Sequence, residues 1–117
     1  MDINNRRFTR FNVKFFIFSN EIKGEGVNIS KGGIGFFTTD ELIPADSIPF
    51  KAEISSGVFG DNVYTIIGIG NLIFSKPSYE TGVLSYYNGF EIIKLKENSK
   101  EILNDIIKIL EDYELRR

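Results

Sequence analysis

Two short segments contain the residue types best suited to ligand chemistry. The first holds Arg6, Arg7 and Arg10, with Arg6 and Arg10 four positions apart. The second, residues 28–33, reads Asn-Ile-Ser-Lys-Gly-Gly. Neither segment has the period-two or 3.6-residue apolar pattern that predicts core packing. We therefore interpret both as candidates for a binding site.

The two spaced arginines would form an adjustable pair of planar cations. A guanidinium can stack on a purine, donate two parallel hydrogen bonds to the O6 and N7 edge of guanine, or bind a phosphate through its fork of N–H groups. The spacing alone is a weak signal that occurs by chance. Because Lys14 follows Arg6, Arg7 and Arg10 closely, a solvated basic segment is the alternative interpretation.

The second segment offers complementary polar groups at a tight turn. Asn28 and Ser30 are two residues apart, so their side chains share one face of an extended strand end. Their amide and hydroxyl groups could both reach the edge of a base. Gly33 would allow a positive φ or the close approach of a ligand. An ordinary Asn/Ser/Gly turn is the alternative interpretation of this segment.

Composition removes several classes of enzyme. The chain has 117 residues, a net charge of −2, and neither cysteine nor histidine. A length of this kind fits a single domain. A cysteine nucleophile, a Ser-His-Asp triad and a zinc site with thiolate or imidazole ligands are all impossible. We expect a binding module that is not an enzyme and has no cofactor or metal.

Most of the chain alternates with the period of β-strands. Phe11, Val13, Phe15 and Ile17 share one face, as do the apolar residues of 48–54. Phe16 and Phe18 make the second face of the first strand apolar as well, and we expect the only predicted helix to cover it.

Glycines punctuate the predicted strands. Gly24 and Gly26 predict a turn, and residues 57–62 predict a hairpin loop. Gly68, Gly70 and Gly89 lie inside two long β-rich runs and indicate bulges or sharp bends, as the closure of a small barrel requires.

The C-terminal residues change to a helical period. Asn98 and Glu101 could form a capping box at the start of a helix over 98–114. The apolar stripe comprises Ile102, Leu103, Ile106, Ile107, Leu110 and Tyr113. We expect it to pack across the mouth of the barrel, and pairing with another protomer or protein is the alternative.

The order of these features resembles the PilZ domain family. The family signature, Arg-x-x-x-Arg followed by Asp/Asn-x-Ser-x-x-Gly, is matched here by Arg6, Arg10, Asn28, Ser30 and Gly33. Residues 87–93, Tyr-Asn-Gly-Phe-Glu-Ile-Ile, resemble the last strand of the family. The resemblance extends over roughly residues 6 to 110.

The resemblance implies a mainly β fold, a six-stranded antiparallel β-barrel of the split-barrel type with one C-terminal α-helix. It implies a single domain over 1–117, with a flexible arginine-bearing segment at 1–10 and the barrel at 11–95. It also implies that cyclic di-GMP is the ligand. Arg6 and Arg10 would bind guanine and phosphate oxygens, with Arg7 as a further phosphate partner.

The same resemblance assigns roles to the turn. Asn28 and Ser30 would hydrogen bond the guanine edge, and Gly33 would keep the turn open. Many members of the family have Asp where this chain has Asn28. A carboxylate can accept two hydrogen bonds from the N1 and N2 donors of guanine, whereas an amide offers only its oxygen.

These features predict a stand-alone cytoplasmic receptor, since five residues precede Arg6 and little follows the helix. Its signal would pass to an unidentified downstream protein when the arginine segment orders over the nucleotide. We expect a monomer or weak homodimer, without DNA, RNA or membrane insertion. A ligand-independent PilZ-like adaptor is the main alternative. An oligonucleotide-binding barrel is disfavoured by the net charge of −2.

Overall fold

The computed structural model describes residues 9–20, 22–55 and 57–116. Its elements, in chain order, are β1 (Phe11–Phe18), β2 (Lys23–Ile29), β3 (Gly33–Thr38), β4 (Ala45–Ser55), a short 3-10 helix (Gly57–Phe59), β5 (Val63–Ser78), β6 (Ser85–Leu95) and the helix α1 (Glu97–Leu115). Within these residues, no helix is long and apolar enough to cross a lipid bilayer.

The six strands form a closed antiparallel barrel in the order β1-β2-β3-β6-β5-β4. This confirms the predicted fold class. Alternate residues of β1 and β4 point inward, as their period-two pattern predicts: Phe11, Phe15, Phe50 and Ile54 are all buried. Since every strand has two neighbours, the backbone groups along each strand can pair without an exposed edge.

The turn predicted at Gly24 and Gly26 is wrong, because both glycines lie inside β2. A Cβ at Gly26 would collide with the Phe15 ring, and one at Gly24 would collide with the Phe36 ring. These positions are therefore glycine because aromatic rings of the core lie directly over the backbone. A steric requirement in a strand produced the same sequence signal as a turn.

The irregularities predicted in the two long runs are present near the glycines. The pairing of β5 with β6 shifts register between Ile69 and Gly70 and again between Leu72 and Phe74. Such shifts bend a strand and increase its twist, which helps a six-stranded sheet to close. The predicted hairpin loop at 57–62 is also observed, with the short 3-10 helix at its start.

Helix α1 begins differently from the prediction. Its N-cap is Lys96, which makes no side-chain capping bond, so the predicted capping box of Asn98 and Glu101 is wrong. The start of the helix is tied instead to β5: the Ile67 carbonyl accepts from the Lys96 amide at 2.9 Å, and the Ile67 amide donates to the Ser99 hydroxyl at 2.9 Å. Hydrogen bonds to β5, and not a side-chain cap, therefore fix the first turn of the helix.

The apolar stripe of α1 is used within the chain. Leu103, Ile106, Ile107 and Leu110 are buried in the same core as the barrel residues. The helix packs against β5, β6 and the 3-10 helix. The expectation that it covers the outer face of β1 is wrong, and Phe16 is 54% exposed. The helix follows β6, which neighbours β3 and β5, whereas β1 neighbours β2 and β4.

The first prediction concerns the glycines beneath rings. We expect Gly70→Ala to lower the free energy of unfolding by about 1–3 kcal/mol, the usual cost of overpacking a core. A Cβ at Gly70 would collide with the Phe90 ring and lie 2.5 Å from the Glu91 carbonyl oxygen.

Urea unfolding of the parent, of Gly70→Ala and of a control variant measures this loss of stability. Gly57→Ala is the matched control, because a Cβ there meets nothing within 4 Å. It should be neutral or slightly stabilising. Equal unfolding midpoints for the two variants would contradict the steric role of Gly70.

Candidate functional site

A chain of hydrogen bonds joins three segments of the protein on the outside of the barrel. Arg10, just before β1, donates from Nη1 to Asn28 Oδ1 at 2.6 Å. Asn28, in β2, donates from Nδ2 to the Tyr87 hydroxyl of β6 at 2.9 Å. Asn28 is therefore the central group, with both ends of its amide engaged.

The sheet register explains why these residues meet. Asn28 pairs with Gly35 across β2 and β3, and Tyr87 pairs with Phe37 across β3 and β6. A Cβ at Gly35 would collide with the Tyr87 hydroxyl and lie 2.6 Å from Asn28 Oδ1. The missing side chain at Gly35 thus leaves the space in which Asn28 and Tyr87 bond above β3.

Ser30 is used inside the turn between β2 and β3. It is 4% exposed, and its hydroxyl oxygen accepts from the amides of Gly32 at 3.2 Å and Gly33 at 3.1 Å. Its own amide donates to the Gly33 carbonyl at 2.9 Å. Within the described residues, the bonds of the Ser30 hydroxyl all stay in this turn, so the structure does not bring it to the amide of Asn28.

Position 33 requires glycine because the backbone of β6 lies close to it, and not because of its φ angle. Among the described residues, the glycines with positive φ are Gly60 and Gly82. A Cβ at Gly33 would lie 2.9 Å from the Phe90 carbonyl oxygen and 3.5 Å from Arg10 Nη2. The Arg10 guanidinium therefore lies beside the backbone of Gly33 while it bonds to Asn28.

Tyr87 is the functional candidate that the sequence analysis missed. Its ring lies 5.3 Å from that of Phe37 and 6.0 Å from that of Phe74, measured between centroids. The Lys76 ammonium lies 4.8 Å from the centroid of Phe74. Period-two phase places Tyr87 in a strand but does not show that it faces outward. Its outward direction follows from the burial of its neighbour Asn88, which only the structure shows.

An open cavity of about 320 Å³ adjoins the hydrogen-bonded chain. It is lined by Asn12, Val27, Asn28, Phe37, Glu80 and Tyr87. The cavity thus combines aromatic walls with amide, hydroxyl and carboxylate groups. Aromatic walls can stack on a flat ring, while the polar groups can read the hydrogen-bonding pattern of its edge.

A second open cavity, of about 580 Å³, adjoins the first. It shares Val27 and Phe37 with the first cavity and extends to Phe16 and to the residues Val83 and Leu84 of the β5–β6 loop. Phe16, Val83 and Leu84 are 54%, 67% and 46% exposed. Exposed apolar residues grouped in this way are typical of interaction surfaces.

The sequence-predicted ligands are only partly within the described residues. Arg6 and Arg7 lie outside them, as does most of the segment 1–10 that was predicted to be flexible. Arg10 is held by its bond to Asn28. Among the described residues, no group of three or more acidic side chains is placed to hold a metal ion.

The barrel order and the C-terminal helix define the fold of a PilZ domain. Known structures with this fold include MotI/DgrA, an inhibitor of motility from Bacillus subtilis, with a TM-score of 0.67 and 16% identity over 96% of this chain. The MrkH–c-di-GMP complex from K. pneumonia matches with a TM-score of 0.68 and 12% identity over 95% of the chain. The PilZ domain of YcgR from Escherichia coli, with c-di-GMP, matches with a TM-score of 0.61 and 17% identity over 92% of the chain.

At these identities the likeness concerns the fold. The chain spans about half the length of MotI/DgrA and MrkH, 52% and 54%, and 92% of the YcgR PilZ domain. No protein-family model and no curated protein sequence matches the chain.

The second prediction tests the hydrogen bond between Asn28 and Tyr87. We expect Tyr87→Phe to lower the free energy of unfolding by about 0.5–1.5 kcal/mol, the usual net value of such a bond. The substitution removes the hydroxyl that accepts from Asn28 Nδ2 but retains the ring packing with Phe37 and Phe74.

Urea unfolding checks this value, with Tyr79→Phe as the control because Tyr79 is 70% exposed. The side-chain amide signals of Asn28 in a nitrogen–proton correlation spectrum should also shift in Tyr87→Phe and stay unchanged in Tyr79→Phe. Unchanged Asn28 signals in both variants would contradict the bond.

Proposed function

We propose that this chain is a receptor that binds cyclic di-GMP on the outer face of β2, β3 and β6. The observation that most directly supports this is the 2.6 Å hydrogen bond between Arg10 and Asn28. It joins an arginine of the first motif to the asparagine of the second, although the two lie 18 residues apart in the chain. Fold neighbours solved as c-di-GMP complexes add support.

The proposed roles follow from the chemistry of each group. Arg10, with Arg6 as its motif partner and Arg7 beside it, binds phosphate and guanine oxygens through planar N–H donors. Asn28 presents its amide to the guanine edge, next to the ring of Tyr87. The Arg10 charge is not neutralised by Asn28, since an amide bears no net charge.

Ser30 and Gly33 take supporting roles in this proposal. The Ser30 hydroxyl already accepts from two turn amides and donates to the Gly33 carbonyl at 3.4 Å, so a bond to guanine would have to replace one of these three bonds. The turn also fixes the end of β2 near Asn28. Gly33 leaves the space beside Arg10 Nη2. Both residues therefore position the site, in addition to any direct contact with the nucleotide.

The proposal extends to a binding protein without catalytic activity that passes its signal on by protein contact. The exposed group of Phe16, Val83 and Leu84 supports this, because it lines the second cavity, which adjoins the cavity beside Asn28. A second messenger acts inside the cell, so the proposal includes a cytoplasmic location. The protein would act as a monomer or weak homodimer.

The third prediction concerns ligand selectivity. We expect cyclic di-GMP to bind with a Kd of about 1 μM or lower. GTP and cyclic di-AMP should bind at least about tenfold more weakly, because contacts with the guanine edge provide the discrimination. Isothermal titration calorimetry with the three nucleotides measures affinity and stoichiometry together. Equal affinity for cyclic di-AMP would contradict guanine recognition, and no binding of any nucleotide would favour the adaptor.

The fourth prediction ranks the arginines. Arg10→Ala should weaken cyclic di-GMP binding more than Arg7→Ala, because Arg10 lies at Asn28 and Gly33 whereas position 7 is outside the motif. A charged hydrogen bond is worth about 1.5–3 kcal/mol, or roughly a tenfold to a hundredfold change in Kd. Calorimetric titration of both variants, with circular dichroism to verify folding, measures the ranking. The reverse order would reassign the phosphate contact to Arg7.

A further inference from the structure

The amide of Asn28 is not sufficient to satisfy the hydrogen-bonding edge of guanine. That edge presents two adjacent donors, N1–H and the 2-amino group. Asn28 Oδ1 already accepts from Arg10 at 2.6 Å, and Nδ2 is used on the Tyr87 hydroxyl. The amide oxygen has one lone pair left, so at most one guanine donor can bond there. A second acceptor is needed to recognise guanine fully.

Among the described residues that line the 320 Å³ cavity beside Asn28, here called the Asn28 cavity, Glu80 is the one carboxylate. Asn12, Val27, Phe37 and Tyr87, which complete the lining with Asn28, bear no charge. The Glu80 side chain is exposed, and within residues 9–20, 22–55 and 57–116 it makes no ion pair. A carboxylate without a partner among these residues can accept two parallel hydrogen bonds through its two oxygens.

The backbone around Glu80 is held by hydrogen bonds, whereas its side chain is exposed. Residues 79–82 form a turn in which the Gly82 amide donates to the Tyr79 carbonyl at 3.0 Å, and Gly82 has a φ of 88°. The Glu80 amide donates to the Ser78 hydroxyl at 3.3 Å. The turn thus fixes the Glu80 backbone, and Glu80 is part of the lining of the cavity.

We propose that Glu80 is a specificity-determining residue, whose carboxylate accepts hydrogen bonds from N1–H and the 2-amino group of a guanine in the Asn28 cavity. This inference rests on the proposed binding of cyclic di-GMP. Glu80 supplies, from the β5–β6 loop, the acceptor pair that a carboxylate at position 28 would have supplied. It also fixes the orientation of the nucleotide, because a carboxylate repels phosphates and attracts the donor edge of the base.

The sign of the expected effect separates this role from general electrostatics. Neutralising a carboxylate on a protein with a net charge of −2 should strengthen the binding of an anion if charge alone matters. A specific acceptor role predicts the opposite. In Glu80→Gln, one acceptor becomes an NH2 group that faces a guanine donor, so the affinity should fall.

The test titrates the full chain and its Glu80→Gln variant with cyclic di-GMP and with cyclic di-IMP, whose hypoxanthine bases lack the 2-amino group. We expect Glu80→Gln to weaken cyclic di-GMP binding by about tenfold or more. We also expect the preference of the parent for cyclic di-GMP over cyclic di-IMP to be largely lost in the variant. The second comparison isolates the 2-amino contact, which a purely structural effect would not change.

Glu25→Gln is the matched control. Glu25 is exposed on the same outer face and lines the adjoining cavity rather than the one with Asn28. The Glu25→Gln substitution changes the net charge by the same amount as Glu80→Gln, so cyclic di-GMP binding should be unchanged or slightly tighter. If Glu80→Gln behaves like Glu25→Gln and keeps the cyclic di-GMP preference, the role of Glu80 is wrong while the receptor function stands. If the parent does not bind cyclic di-GMP, the receptor function itself is overturned.

Discussion

Closure of this small barrel depends on glycines that lie directly beneath aromatic rings. Inside the barrel, Phe15 lies over Gly26 and Phe90 lies over Gly70. Six strands enclose too little space for large rings unless some neighbouring positions lack a Cβ. A missing Cβ also shapes the site on the outside of the barrel, where the Tyr87 hydroxyl and the amide of Asn28 occupy the space above Gly35. Core packing and site geometry thus rest on one steric constraint.

The sequence predicted the regular parts of this fold better than its glycines. The alternation of Phe11, Val13, Phe15 and Ile17 gave the inward face of β1 correctly, because burial on one face of a strand must repeat every two residues. Gly24 and Gly26 were misassigned to a turn, since a missing Cβ has the same local signature in a turn and under a ring. Only the partner ring, which lies on another strand, distinguishes the two cases.

The site shows the same limit. Arg10 and Asn28 could be selected from motif spacing, and the structure joins them directly. Tyr87 could not, because it lies 59 residues from Asn28 and a tyrosine in strand phase is ordinarily assigned to the core. In β6 the polar residue faces inward and the aromatic residue faces outward. Asn88 is fully buried, and its Nδ2 donates to the Phe36 carbonyl and to Thr38 Oγ1. The aromatic neighbour therefore faces outward.

Asparagine at position 28 has a consequence for the charge of the proposed site. A carboxylate there would form an ion pair with Arg10 and offset the positive charge that an anionic ligand needs. The neutral amide positions the guanidinium at 2.6 Å and leaves its charge for a phosphate. In the proposed site the negative group is instead Glu80, which lines the cavity beside Asn28. In the proposed complex, this separation of the cation from the carboxylate would allow a mildly acidic domain to bind an anion and also accept hydrogen bonds from the donor edge of guanine.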